Sequence, residues 1–169
     1  LLKDTSLIKM KISIIGAGYV GLVQGSCLAD FGFNVVCIEK DTNKLRKLQL
    51  GRVPFYEPGL DRILKKNIKN NRLKFTNEYK ENISKADVIF ICVGTPPKKN
   101  GQSNLSFIDE ASRQVAKNLK HYTVIVSKST VPVGTSKRIE KIIRKKKSKN
   151  LFDVVSNPEF LREGAAIND

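Results

Sequence analysis

The sequence predicts an α/β fold built as a doubly wound parallel sheet with helices on both faces. Three observations carry that reading. Apolar runs alternate with amphipathic stretches from residue 11 onward, the pattern of strands joined by crossover helices. The run 88–93, Val-Ile-Phe-Ile-Cys-Val, is apolar without alternation, as expected of a strand covered on both faces. A chain of 169 residues, 40% hydrophobic and 28% charged, is composed like one soluble domain large enough to build its own core.

Residues 11–15 read as the first strand and 19–31 as the first helix. A second strand spans 35–38 and a second helix 42–50, opened by Asp41 as N-cap, since a short side-chain oxygen there accepts the free N–H groups of the first turn. The stretch 54–59 holds two prolines and a glycine and reads as a loop. Leu60, Ile63 and Leu64 then fall at helical spacing, giving a helix over 60–67. Strands follow at 73–75, 88–93, 123–126 and 153–155. Helices are expected over 107–119, from the stripe Ile108, Ala111, Val115, Leu119, over 136–145, and over 160–167. The expected strand order is 3-2-1-4-5-6.

The charge balance is 31 basic against 16 acidic residues, or +15, which admits nucleic acid, anionic membrane or anionic small molecules as partners. The cations are 23 lysines and 8 arginines, and phosphate recognition favours arginine forks, so the excess reads as a solvated basic surface. The lysine-rich run 141–150 reads the same way, as cations at a helix C-terminus complementing the dipole. No apolar stretch approaches the roughly 20 residues of a membrane span, and residues 1–9 lack a signal-peptide core. Cys27, Cys37 and Cys92 form no CxxC pair and have only His121 to join them, so neither a disulfide framework nor a metal site is expected. A reducing cytoplasm, with no membrane or nucleic-acid partner, fits these counts. Residues 1–9 precede the only methionine, Met10, and have uncertain status; the end at Asp169 carries no capping signal, and the chain is expected to be cut from a longer protein.

Gly16-Ala17-Gly18-Tyr19-Val20-Gly21 follows a predicted strand and opens a predicted helix, the context in which a GxGxxG pattern reads as a dinucleotide turn. The first glycine allows the tight turn, the second lets the backbone approach a pyrophosphate, and the third permits close helix–strand packing. The phosphates rest on the helix N-terminus. Glu39 ends the second strand 18 residues after Gly21, about where a carboxylate accepts the ribose hydroxyls and repels a 2′-phosphate. The expected cofactor is therefore NAD rather than NADP, with Lys40 and Lys44 nearby as a countervailing charge. Together these features make the sheet Rossmann-type. Val93-Gly94-Thr95-Pro96-Pro97 and Ser129-Thr130-Val131-Pro132-Val133-Gly134 follow the next two central strands, so both loops should lie at the carboxyl edge where ligands bind. Glu159 and Glu163 are four apart in Ser156-Asn157-Pro158-Glu159-Phe160-Leu161-Arg162-Glu163-Gly164, hence on one face if helical.

The set GAGYVG, PFYEPGL, VGTPPKKNG, KSTVPVGT and SNPEFLREGAAI, in this order, closely resembles the UDP-glucose/GDP-mannose dehydrogenase family from about Met10 to Asp169. That resemblance implies an NAD-binding domain over 10–169, ahead of a central helix and a substrate domain. It implies a four-electron oxidation at C6 of a nucleotide sugar with two NAD, through a thiohemiacetal and thioester on an enzyme cysteine. It implies cofactor contacts from Gly16, Ala17, Gly18, Tyr19, Val20, Gly21, Glu39, Lys44, Val93, Gly94, Thr95, Pro96, Ser129, Thr130 and Glu163. It further implies sugar-nucleotide contacts from Glu159, Phe160, Leu161, Arg162 and Glu163, partly through backbone. Thr130 is implied to help position a water, and Glu159 to act in acid–base chemistry, which suits a carboxylate of tuned pKa. The STVPVGT and GAAI segments favour UDP-glucose, oxidised to UDP-glucuronate, over GDP-mannose or UDP-N-acetylmannosamine, and a homodimer is expected. The family's nucleophile lies in a Gly-Gly-x-Cys segment that this sequence does not contain; its three cysteines read as core residues, and the fragment alone is expected to bind without turnover. Glu39 stands where the family usually has aspartate. The rival from a different class is a basic nucleic-acid-binding module, marked by steeply salt-dependent binding that NAD does not compete with.

Overall fold

A computed structural model describes residues 10–169; the status of residues 1–9 lies outside the described residues. Six parallel strands form one sheet: β1 (Lys11–Ile15), β2 (Asn34–Ile38), β3 (Leu73–Thr76), β4 (Val88–Ile91), β5 (Thr123–Ser127) and β6 (Phe152–Ser156). Their order is β3-β2-β1-β4-β5-β6, the expected doubly wound arrangement, with Ile14 of β1 opposite Cys37 of β2 and Phe90 of β4. The helices are α1 (Tyr19–Asp30), α2 (Thr42–Gln49), α3 (Leu60–Lys69), α4 (Lys80–Ser84), α5 (Ser106–Asn118) and α6 (Thr135–Arg144).

The alternation of side chains along each strand divides the core into two layers. Ile12 and Ile14 of β1, Val35 and Cys37 of β2, and Leu73 and Phe75 of β3 face one way, under Leu22 and Val23 of α1 and Leu60 and Leu64 of α3. Ile15, Ile38, Ile89, Ile91 and Ile125 face the other way, under Ile83 of α4, Ile108 and Val115 of α5, and Ile139 and Ile143 of α6. The chain changes faces between β3 and β4, which places the start of both central crossovers side by side at the carboxyl edge.

Asp41 caps α2 as expected, its Oδ1 accepting N–H groups from Asn43 at 2.9 Å and Lys44 at 3.0 Å. Arg138 of α6 makes a bidentate pair with Asp109 of α5, both bonds 2.6 Å. The lysines after α6 lie in a largely exposed turn, as expected.

The structure corrects three expectations. The central strand stops at Ile91 rather than Val93, and Val88 and Phe90 are only half-buried, so one of its faces is incompletely covered. A short helix, α4, fills the stretch between β3 and β4; with Ile83 as its one buried residue it leaves no periodic trace in the sequence. Residues 160–167 form no helix: 160–162 carry no regular structure and 163–168 form turns. Gly164 has φ of 88°, in the left-handed region that ends helices, and the Gly164 and Ala166 N–H groups are both taken by the Glu57 carboxylate rather than by helical carbonyls. Glu159 and Glu163 therefore do not share a helix face.

Candidate dinucleotide site

The glycines at the end of β1 have separate steric duties. Gly16 takes φ of 97° and donates its N–H to Ile38 O at 2.9 Å; a Cβ there would lie 2.7 Å from the Cys92 carbonyl oxygen. A Cβ on Gly21 would lie 2.0 Å from the Gly16 carbonyl oxygen, so α1 crosses the turn at a distance only glycine allows. Gly18 is different, because a Cβ there would meet nothing within 4 Å. It is the N-cap of α1 and lends no side chain to the helix, whose first turn contains no acid. The free N–H groups of Tyr19 and Val20 and the positive helix end thus border open space, which fits a pyrophosphate.

Glu39 follows β2 and is 8% exposed. Its Oε2 accepts the Ala17 N–H at 3.3 Å and lies 2.8 Å from Lys44 Nζ, while Oε1 accepts the Asp41 N–H at 3.0 Å. The carboxylate is therefore tied to the glycine turn on one side and to α2 on the other. Gly16, Gly18, Glu39, Lys44, Val93 and Gly94 border one cleft of about 230 Å³, so the structure brings these six expected cofactor residues together. Tyr79, Phe107 and Glu110 complete its walls, and Lys40 Nζ sits 4.5 Å above the Phe107 ring, a cation–π distance. These residues come from the starts of α4 and α5 and carry no local motif; only the strand order reveals them.

A second cleft, also about 230 Å³, adjoins Gly18 on the far side. Tyr19, Val20, Gly94, Thr95, Ser129, Thr130 and Glu159 line it, so the two expected catalytic residues meet the cofactor turn here. The two loops are stitched together: Thr95 Oγ1 donates to Thr130 O at 2.9 Å, and Ser129 Oγ donates to Val93 O at 2.6 Å. Glu159 Oε2 accepts the Leu161 N–H at 2.7 Å, which holds the carboxylate at the start of the last segment. Lys128, given no role from the sequence, is buried here with Nζ 3.1 Å from Asn157 Oδ1. Pro96 lies just beyond this lining.

The remaining expected sugar-nucleotide residues are spread. Leu161 packs on the first core layer, and Phe160, 86% exposed, borders with it a separate groove of about 610 Å³ against α1. Arg162 is exposed and paired with Asp169 at 2.5 Å. Glu163, expected against both ligands, is exposed and lines neither cleft. Cys37 is fully buried, and burial pushes its thiol far above the ordinary range. Cys92 departs from a plain core role, because it borders both clefts beneath Gly21; burial pushes its thiol up to about 12, which keeps it protonated and unreactive. Among the described residues no cluster of His, Cys, Asp and Glu could hold a metal ion, and no helix is long and apolar enough to cross a membrane.

Comparison with known proteins agrees with this geometry. A UDP-glucose 6-dehydrogenase of Rhizobium meliloti (strain 1021) is 52% identical over 161 residues, which cover 95% of this chain and 37% of the relative. A UDP-glucose dehydrogenase structure from the hyperthermophilic archaeon Pyrobaculum islandicum superposes with a TM-score of 0.91 at 35% identity, over 100% of this chain and 40% of that one. A ternary complex of GDP-mannose dehydrogenase from Pseudomonas aeruginosa gives 0.86 at 38% identity, over 95% of this chain and 38% of that one. The chain thus spans little more than a third of the length of these relatives. Residues 10–169 match the family model described as "UDP-glucose/GDP-mannose dehydrogenase family, NAD binding domain", and with a glycine turn, a buried carboxylate after β2 and two stitched loops at one sheet edge, the chain belongs to that family as its NAD-binding domain.

Proposed function

We propose that this domain holds NAD beside the C6 carbon of UDP-glucose in an enzyme that makes UDP-glucuronate, consuming two NAD in two oxidation steps. The observation that carries the reading is the meeting of Gly18, Thr95, Thr130 and Glu159 around one cleft beside the phosphate turn. NAD, when bound, accepts hydride from the sugar carbon. The chain's own residues bind and orient. Gly16 to Gly21 receive the pyrophosphate, Glu39 and Lys44 the adenosine ribose, and Val93, Gly94, Thr95, Pro96 and Ser129 border the path to the nicotinamide end. Thr130 directs a water, and Glu159 exchanges protons with it during release of the acid. The covalent cysteine belongs to the part of the relatives that this chain does not span, since Cys37 and Cys92 are buried thiols and Cys27 lies within α1. The backbone of residues 159–163 meets the sugar nucleotide, and the whole enzyme assembles as a homodimer. Likeness to a GDP-mannose dehydrogenase structure makes GDP-mannose the substrate to compare.

Calorimetric titration of the chain with NAD, NADP, UDP-glucose and GDP-mannose, alongside a watch for NADH formation, tests the proposal. NAD binding without turnover is the expected result. Turnover by this chain would overturn the assignment of the nucleophile elsewhere, and preference for NADP would overturn the role of Glu39.

A further inference from the structure

We infer that Glu57 is a positioning residue that ties the dinucleotide turn to the backbone of the sugar-nucleotide segment, so that ordering at the first is transmitted to the second. The inference rests on the function proposed above.

Glu57 lies between α2 and α3 in the loop Pro54-Phe55-Tyr56-Glu57-Pro58-Gly59, and it is 5% exposed. A carboxylate withdrawn from water needs either a cation or a full set of donors, and among the described residues no ion pair includes it. Donors alone surround it. Its Oε2 accepts the Tyr19 hydroxyl at 2.5 Å and the Gly164 N–H at 2.8 Å, and its Oε1 accepts the Ala166 N–H at 3.0 Å. These bonds, the Tyr19 hydroxyl foremost, hold the carboxyl below the usual carboxylate range.

The donors come from distant parts of the chain that meet different ligands. Tyr19 is the first residue of α1, seated between Gly18 and Gly21, and its ring packs on Phe55 of the same loop with centroids 4.9 Å apart. The loop therefore grips the phosphate turn with one ring and one hydrogen bond. Gly164 and Ala166 belong to the segment after Pro158, which has neither helix nor strand and is registered by a few anchors. These are the Asn157 N–H on Ser127 O at 3.0 Å just before it, the two bonds to Glu57, the Tyr19 hydroxyl donating to Arg162 O at 3.5 Å, and the packing of Leu161, Ala166 and Ile167 on the first core layer. One oxygen, Oε2, is shared between the Tyr19 hydroxyl and the Gly164 N–H. A displacement of Tyr19 is thus felt directly at the backbone that begins one residue after Glu163.

A purely structural clamp would hold Gly164 and Ala166 equally whether or not the phosphate turn is occupied. The positioning role predicts a difference, read by hydrogen exchange at the Gly164 and Ala166 amides of the chain with and without saturating NAD. Saturation should slow exchange at both amides by about five-fold or more, the lower end of usual coupling between sites, while the Ile143 amide in α6 stays unchanged. Glu57→Gln presents one carbonyl oxygen and an NH₂ to three donors. It should speed exchange at both amides without NAD and remove the NAD-dependent slowing. Tyr19→Phe, compared at saturation, should remove the slowing while the Glu57 bonds to Gly164 and Ala166 persist. Unchanged exchange at Gly164 and Ala166 in a chain that demonstrably binds NAD would overturn the inference alone. A folded chain that binds no NAD would overturn the proposed function and the inference with it.

Discussion

Gly18→Val separates the fold from the ligand. Gly18 has φ of −70° and ψ of −167°, a conformation open to any L residue, and a Cβ there meets no atom within 4 Å. The gain from a stiffer unfolded chain and the loss of a tolerated N-cap oppose each other, each worth about 1 kcal/mol or less. The melting temperature should therefore move by no more than about 4 °C in a chain of this size. The same side chain occupies the space over the first N–H groups of α1. Loss of two charge-assisted hydrogen bonds at about 1.5–3 kcal/mol each removes about 3–6 kcal/mol, which is roughly two to four decades in NAD affinity. Gly21→Ala behaves oppositely: its Cβ falls 2.0 Å from backbone at Gly16, and overpacking of about 3 kcal/mol should lower the melting temperature by about 6–12 °C. Circular dichroism melts and calorimetric titration measure both. A Gly18→Val chain that keeps its NAD affinity within two-fold would refute the placement of the pyrophosphate over Gly18.

Glu39→Arg should weaken NAD and strengthen NADP, because the ribose acceptor becomes a phosphate partner beside Lys44 and Lys40; unchanged NAD affinity would put the ribose elsewhere. Asp41→Ala removes the acceptor of two N–H groups at α2 and should lower the melting temperature by about 2–4 °C, with NAD binding retained. Leu64→Ala empties a fully buried position and should cost about 2–5 kcal/mol in a denaturant titration, a smaller loss meaning that α3 relaxes onto β2 and β3. Burial and then the Glu57 hydrogen bond raise the Tyr19 hydroxyl to about 12, so Glu57→Gln should return one tyrosine toward its ordinary value of about 10 in an ultraviolet titration. The carboxyls of Asp30, Glu57 and Asp109 are held below their ordinary range, by Lys66, Tyr19 and Arg138 foremost. The unfolded chain then takes up protons first on acidification. The stability from these groups is complete above about pH 4.5 and is lost as pH falls through the lowered folded values, and denaturation midpoints across that window should show a shallower slope in Glu57→Gln.

The parts of the molecule that were legible in the sequence are those fixed by near neighbours. The glycine turn shows in a pattern six residues long, although Gly16 also answers to Cys92 and Ile38, and the Asp41 cap follows from contacts within three residues. The strand order follows from alternation and from the right-handed crossover that a parallel sheet imposes. What escaped depends on residues far apart in the chain. Phe160 to Ile167 has helical composition, yet two of its N–H groups go to a carboxylate more than a hundred residues earlier. Glu57 itself sits in a segment quoted for its resemblance and given no role, because nothing local marks a buried acceptor. Tyr79 and Phe107 join the cleft beside Glu39 only once α4 and α5 are brought to the same sheet edge, and Lys128 acquires a partner only when β6 sets Asn157 beside it.

In the proposed function NAD lies across the carboxyl edge of this sheet, its pyrophosphate on the start of α1. Titration of the chain with NAD while following every backbone amide tests it most directly. Binding should be saturable, with the largest shifts at Ala17 to Gly21, at Glu39 and Lys40, and at Val93 to Thr95. A folded chain whose amides respond to NAD at the opposite, amino edge of the sheet, or not at all, would contradict it.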